Sequence, residues 1–259
     1  MGGMARGATQ LGRRACGRGL LVAAALAIAT AAAAEDPFFS DEGSDTFVGQ
    51  QVPDPLEDTN RPVFGFNDLV ERALIDPIAR AYGYVVPDPV KRSVRGFFSN
   101  LNRPVVFENE LLQATPLRAG QTLGRFVLNS TLGIGGLLDP AAELGWTEHE
   151  ADFGQTLGKM GVGPGFYVVL PFLGPSTARD TFGLVVDTAM RLDTWILPIA
   201  SQLILGGSMG VTKAEEHRDE LKELRRSSLD YYAAVRSAYL QDRARMVREA
   251  RGRTACSTE

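Results

Sequence analysis

The chain has 259 residues, 44% of them apolar and 22% charged, a balance that excludes disorder as the main state. Its 27 Lys and Arg against 31 Asp and Glu give a net charge of −4, which removes a plain duplex-binding role, since that needs a positive field. Two cysteines and two histidines exclude a disulfide scaffold and a multi-cysteine zinc site and leave little material for a metal centre.

The first segment reads as an address. Residues 1–34 carry Arg6, Arg13, Arg14 and Arg18 and no acid, then an uncharged run from Leu20 to Ala34 ending Ala32-Ala33-Ala34. That pattern predicts a secretory signal peptide over 1–34. A retained anchor is the alternative, although the run is shorter than the roughly 20 residues a span needs. Removing the segment takes four basic residues and no acids, leaving −8. It also takes Cys16, so Cys256 alone remains and no internal disulfide can form.

Residues 35–53 are acidic and read as a flexible lead-in. Asn60 with Pro62 then predicts a helix start, with Val63, Phe66, Val70 and Leu74 on one face. Asp76-Pro77 ends or kinks it. Asp88-Pro89 starts a second helix and Thr115-Pro116 a third. Ser176 caps a fourth, carrying Phe182, Val185 and Ala189. Residues 213–251 are helical, with Tyr232, Val235, Tyr239 and Met246 in a 3–4 rhythm that Asp242 interrupts. Phe166 to Leu170 is the best strand candidate, but Pro and Gly flank it closely. The fold class expected is all-α, with a body over 54–212 and charged helices and a tail over 213–259.

Three uncharged stretches have an unusual shape. Met160–Ala178 has 19 residues, seven of them Gly or Pro. Thr194–Val211 has 18, with Pro198 inside, and Phe126–Leu138 contains Gly133, Gly135 and Gly136. Each is too broken for a plain spanning helix, because freed backbone groups need protein or water partners. They read either as buried core with tight turns or as segments that sit in one leaflet and enclose a path for lipid. The charge is uneven too: residues 213–259 carry +2 and residues 35–212 carry −10. The C-terminal charges read as a solvated helix face, or as a basic face on anionic headgroups.

Catalytic patterns are missing. Gly174-Pro175-Ser176-Thr177-Ala178 lacks the last Gly of a nucleophile elbow. His149 reads as a solvated loop residue and His217 as surface. Gly133-Ile134-Gly135-Gly136 has no Lys-Ser/Thr after it and is no phosphate loop.

Four stretches in fixed order resemble the MlaA (VacJ) family of outer-membrane lipid-asymmetry proteins. The first runs Asp54-Pro55-Leu56-Glu57, Asn60-Arg61 and Phe64-Gly65-Phe66-Asn67. The second is Phe97 to Leu101 with Arg103-Pro104 and Asn109. The third is Gly124-Arg125-Phe126, Asn129 to Gly136 and Asp139-Pro140. The fourth is Asp152 to Gly158, containing Gly154 and Gln155, then Gly161 to Gly165 with Gly163 and Pro164, Leu170-Pro171, Leu173 to Thr177, and Arg179-Asp180. Many members carry a Cys directly after the apolar run. Here Cys16 precedes that run and Ala34-Glu35 follows it, so anchoring would rest on the embedded body and on partners.

The resemblance implies a disc-like helical body in the inner leaflet of a Gram-negative outer membrane, facing the periplasm beside a trimeric porin. It implies a central amphipathic channel that passes mislocalised phospholipid to a periplasmic lipid carrier. It implies no enzyme activity, no cofactor beyond phospholipid as transported ligand, and no nucleic acid. Its candidate channel or structural positions are Asn60, Arg61, Phe66, Asn67, Arg125, Asn129, Gly133, Gly135, Gly136, Asp139, Asp152, Gly154, Gln155, Gly163, Pro164, Gly165, Pro171, Arg179 and Asp180. Arg125, Asn129, Asp139 and Arg179 stand beside apolar runs, where they would line the channel or else cap helices and pair inside the body. A porin-binding adaptor and a lipid hydrolase using Ser176 or His149 are the other functions considered.

Overall fold

The computed structural model describes residues 52–255. The expected export segment and nearly all of the acidic lead-in lie outside the described residues. The described chain is helical apart from one hairpin. Helix α1 (Glu57–Val70) passes through a π-helical turn (Glu71–Ile75) into α2 (Asp76–Val85), so Asp76-Pro77 marks a change of winding rather than an end. Next come α3 (Asp88–Leu112), α4 (Pro116–Thr131), α5 (Pro140–Glu143) and α6 (Phe153–Lys159). Pro89 and Pro116 stand in the first turns of α3 and α4, where the missing N–H has no helical partner to lose. The hairpin β1 (Tyr167–Leu170) and β2 (Gly174–Thr177) follows, then α7 (Ala178–Met190), α8 (Leu192–Ile196), α9 (Ile199–Glu216), α10 (Arg218–Ser227) and α11 (Tyr231–Ala255). α3 packs most extensively on α4, α6 packs on α7 and α11, and α9 packs on α2.

Two local expectations are corrected. α1 begins three residues before Asn60, which is a buried residue inside the helix and not its cap. Ser176 belongs to β2, and the cap of α7 is Thr177, whose Oγ1 accepts from Asp180 N at 3.2 Å. The strand candidate does form: β1 pairs antiparallel with β2, Tyr167 opposite Thr177 and Leu170 opposite Gly174. Its turn uses positive φ at Phe172 and Gly174.

The hairpin is held by amide side chains of α1. Asn60 Nδ2 donates to Tyr167 O at 3.2 Å, and Asn60 Oδ1 accepts from Val169 N at 2.9 Å. Two turns on, Asn67 does the same for Leu170 O at 2.9 Å and Phe172 N at 2.8 Å. The two amides satisfy edge-strand groups that a third strand would otherwise pair. Asp54 ties this to the C-terminal helix, accepting from Asn60 Nδ2 at 2.8 Å and from the Tyr232 hydroxyl at 2.5 Å. Around them Tyr167, Val169 and Tyr232 form a buried cluster with Phe64 and Tyr239 against it.

Burial runs opposite to the usual pattern. Among the largest fully buried side chains, Glu110, Asn60, Asn109, Thr122, Thr156 and Thr177 stand beside a single large aromatic, Tyr167. The buried apolar residues are mostly small: Ala79, Ala119, Ala141 and Ala250 are at 0% exposure. Meanwhile Leu117 is 81% exposed, Phe172 73% and Ile204 71%. No described helix is long and apolar enough to cross a membrane. The uncharged run Thr194–Val211 divides between α8 and α9, and Met160–Ala178 divides between a loop and the hairpin.

Asn60→Ala removes three buried hydrogen bonds at once. It should lower unfolding stability by about 2–3 kcal/mol, because the strand groups and Asp54 lose their partner. Asn67→Ala, at a half-buried position, should cost less. Denaturant melts of the two variants against the parent check both.

Candidate functional site

One cavity of about 780 Å³ lies between α3, α4, α9 and the segment leading into α6. Its cations are Arg92, Arg95 and Arg103 of α3, Arg125 of α4 and Lys213 of α9. Its acids are Asp139, Glu148, Glu150, Asp152 and Glu216. Phe98, Val106, Met209 and Met246 supply apolar wall.

The spacing of α3 explains its share: positions 92, 95, 99 and 103 recur at 3, 4 and 4 and form one helical face. Arg103, 4% exposed, pairs with Glu148 and donates to His149 O at 2.9 Å. Burial, with the nearby Arg125 charge, pulls the Arg103 guanidinium down to about 10, so it stays charged at neutral pH. Arg125 forks between Asp139 Oδ2 at 2.7 Å and the Trp146 carbonyl. Asn129 Nδ2 donates to Asp139 Oδ1 at 2.9 Å, and Asp139 caps α5 through Ala142 N at 3.0 Å. Burial pushes the Asp139 carboxyl up, but Asn129, Ala142 N and Arg125 together hold it below the usual range. These contacts pin the wall from Leu132 to Asp152 onto α4.

The same wall meets α3 through glycines. Gly136 adopts φ +96°, and a Cβ there would stand 2.4 Å from Asn100 Cβ. A Cβ on Gly96 would stand 2.5 Å from Gly136 O, and one on Gly133 2.4 Å from Leu138 O. Gly135 also has positive φ, +72°, and its carbonyl accepts from Asn100 Nδ2 at 3.3 Å.

Beside the cavity lies a partly buried ionic fork. Arg243 of α11 donates to both oxygens of Asp152 at 2.9 and 2.7 Å. It also donates to both oxygens of Asp180 at 2.9 and 3.1 Å. Arg179 Nε and the Tyr239 hydroxyl reach Asp180 as well, each at 2.9 Å. Burial alone would raise Asp152 and Asp180, but the hydrogen bonds and charge of Arg243 hold both below the ordinary carboxylate range. Asp152 also caps α6, accepting from Gln155 N at 2.8 Å. Gly154 and Gly183 let α6 and α7 close on this fork: a Cβ on Gly154 would meet Asp180 Oδ1 at 2.5 Å, and one on Gly183 would meet Gly154 N at 2.5 Å.

The sequence candidates therefore divide. Arg125, Asn129, Asp139, Asp152 and Gln155 line the cavity. Gly133, Gly135 and Gly136 shape its wall. Arg179, Asp180 and Gly154 build the fork next to it. Asn60, Arg61, Phe66, Asn67 and Pro171 stand at the hairpin, where Phe66 meets Phe172 edge-on at 5.3 Å and Arg61 lies 4.6 Å over Tyr232. Pro164 O accepts from Arg179 N at 3.2 Å, Gly165 has φ +70°, and half-buried Gly163 precedes them.

His149 is corrected from a solvated residue to a buried one, 6% exposed, with Nδ1 at 3.3 Å from Glu110 Oε1. Glu110 in turn accepts from Thr122 Oγ1 at 2.6 Å. His217 is exposed, as read. The sequence reading passed over Arg243, Glu110 and Lys213. Arg243 had a signal, since it stands four residues after Tyr239 on the apolar stripe of α11, where a lone charge asks for a buried partner.

With this geometry in hand, likeness to known proteins is informative. The MlaA lipoprotein family matches residues 52–246. The chain belongs to the MlaA family. It is 38% identical over 198 residues to the "Intermembrane phospholipid transport system lipoprotein MlaA" of Escherichia coli (strain K12), covering 73% of this chain and 76% of that one. It is 32% identical over 203 residues to the protein of the same name from Haemophilus influenzae, covering 77% and 81%. A chain solved in work on the structural basis for maintenance of bacterial outer membrane lipid asymmetry superposes with TM-score 0.64 at 34% identity, covering 75% of this chain and 98% of that one. MlaA relatives are named as transport components, so the hydrolase alternative falls away and the chain is not an enzyme.

Arg243→Met removes the cation that the two carboxylates share, leaving half-buried Asp152 unpaired and Asp180 with Arg179 alone. It should lower stability by about 3–5 kcal/mol at pH 7. In the parent the fork's contribution is present above the ordinary Asp range and lost as pH falls through the depressed values, so the gap between parent and variant should narrow below about pH 4. Asp187 behaves in the opposite sense. Burial lifts its carboxyl to about 6 against the bonds from Phe153 N and Asn109, so its ionisation costs stability as pH rises through 6. Asp187→Asn should therefore stabilise the protein at pH 7 by about 2 kcal/mol and by little near pH 4. Thermal melts across pH read both.

Proposed function

We propose that this protein is a non-enzymatic channel for phospholipid at the inner leaflet of the outer membrane. It takes phospholipid that has strayed into the outer leaflet and hands it to a periplasmic lipid carrier, working beside a trimeric porin. The observation that carries the reading is the inverted body: a cavity of about 780 Å³ with both charged and apolar lining, among helices that expose large apolar side chains. A phospholipid needs both, a polar path for its headgroup and apolar contact for its chains, and the volume lies in the range of ligand sites. Exposed apolar area on this scale fits a lipid surface better than water. The names of the MlaA relatives, an intermembrane phospholipid transport system, support the same role.

The test is outer-leaflet phospholipid, labelled on intact cells of a strain lacking the gene. Deletion should raise the labelled fraction, and the parent gene should restore it. Asn102 is half-buried on α3 and lines the cavity. Asn102→Trp should give a folded protein that still co-purifies with the porin but restores asymmetry poorly. Unchanged labelling after deletion would overturn the reading. Full rescue by Asn102→Trp would favour the porin-binding adaptor instead.

A further inference from the structure

The charges of the cavity are sorted along α3. At one level Arg92, Arg95 and Lys213 face a single acid, Glu216, which Arg95 meets at 3.4 Å. One turn further, from Ser99 onward, four acids, Asp139, Glu148, Glu150 and Asp152, stand against Arg103 and Arg125; Glu148 pairs with Arg103 and accepts from Ser99 Oγ at 2.5 Å. The rise from Arg95 to Ser99 is about 6 Å, which is the scale of a headgroup that carries a phosphate and an amine.

Arg92, Lys213 and Glu150 are exposed at the cavity's rim, and Glu150 interacts electrostatically with Arg103. Arg95 Nε, Asn100 Oδ1 and Arg125 Nε are buried with no hydrogen-bond partner, and Asn100 and Arg125 are at least nine-tenths buried. Buried polar atoms left open inside a cavity call for a polar ligand. Positive groups at one level and negative groups at the next call for a ligand that is itself a dipole of charges.

We infer that the cavity prefers zwitterionic, amine-bearing phospholipid headgroups over anionic ones. The phosphodiester is held by Arg92, Arg95 and Lys213, and the ammonium by Glu148 and Glu150. This rests on the lipid-channel reading above and adds a headgroup selectivity to it. An anionic glycerol headgroup satisfies the basic level equally well but offers no ammonium to Glu148 and Glu150.

The test is binding of short-chain lipids to the full-length purified protein by native mass spectrometry. Dihexanoyl phosphatidylethanolamine should bind more tightly than dihexanoyl phosphatidylglycerol by about fivefold, the ratio that one partly solvated charge contact supplies. Glu150→Lys should abolish or reverse that order, and Arg92→Glu should weaken both lipids alike. Circular dichroism melts check folding, with Glu150→Gln as the milder second variant. Equal affinity of the parent for the two lipids would overturn the headgroup inference while leaving the channel reading intact. Binding of neither lipid would overturn both. Free O-phosphoethanolamine binding as tightly as the lipid would overturn the lipid assignment and give the site to a soluble phosphoester.

Discussion

The structure depends on pairing a polar interior, and the Arg243 guanidinium is where that constraint is most concentrated. It joins Asp152 at the start of α6 to Asp180 at the start of α7 and brings α11 across both. A guanidinium can do this because its donors form a planar fork that two carboxylates accept together. An ammonium in its place would reach one of them. The desolvation of three charges is severe, so the arrangement holds only because nearly every donor and acceptor is matched. The glycines follow from it. α6 and α7 must approach until Gly183 touches the backbone of Gly154, since only then do Asp152 and Asp180 face one guanidinium.

The same rule organises the rest of the body. Helix α1 sets Val63, Phe64 and Phe66 against the hairpin and its cluster, and it also supplies two amides that complete the edge of β1. The segment from Leu132 to Asp152 has little regular structure, yet it is fixed by Arg125, Asn129 and Asp139 on one side and by Gly96 and Gly136 on the other. It therefore forms a wall without an apolar core behind it. The cavity is the consequence: polar groups that hold the wall also face inward, and their surplus charges stay in the space between α3 and α9.

Much of this organisation could be read from residues alone. Helical spacing located α3, α4 and α11, and proline placement gave starts for α3 and α4 close to those observed. The readings that failed share one cause. Asn60 has the chemistry of a helix cap, and local rules assign it to the nearest backbone donors; its backbone partners are on the hairpin, more than a hundred residues away. His149 sits in a polar stretch, and polarity of neighbours predicts exposure only when interiors are apolar. Here the interior is polar, so the rule inverts. Glu110 was hidden for the same reason, since a charged residue on a long helix reads as its solvent face. Gly133 to Gly136 stood out as a glycine cluster, but the partner that demands Gly136, Asn100, lies on another helix.

An inverted body of this kind makes physical sense in a lipid setting. Where acyl chains surround a protein, burying leucine between helices gains little, because the chains are as apolar as the leucine. Helices are then held by close approach at small residues and by polar pairs, which is what Gly154 with Gly183, Gly96 with Gly136, and the Arg243 fork provide. The large apolar side chains are left to the outside. The same choice opens the interior to a charged headgroup, since a wall made of paired ions can exchange a contact with a ligand where an apolar wall would exclude it. Fold cohesion and the proposed passage of lipid thus draw on one set of residues. Arg125, Asn129 and Asp139, chosen from the sequence as channel candidates or structural ties, both line the cavity and tie its wall to α4.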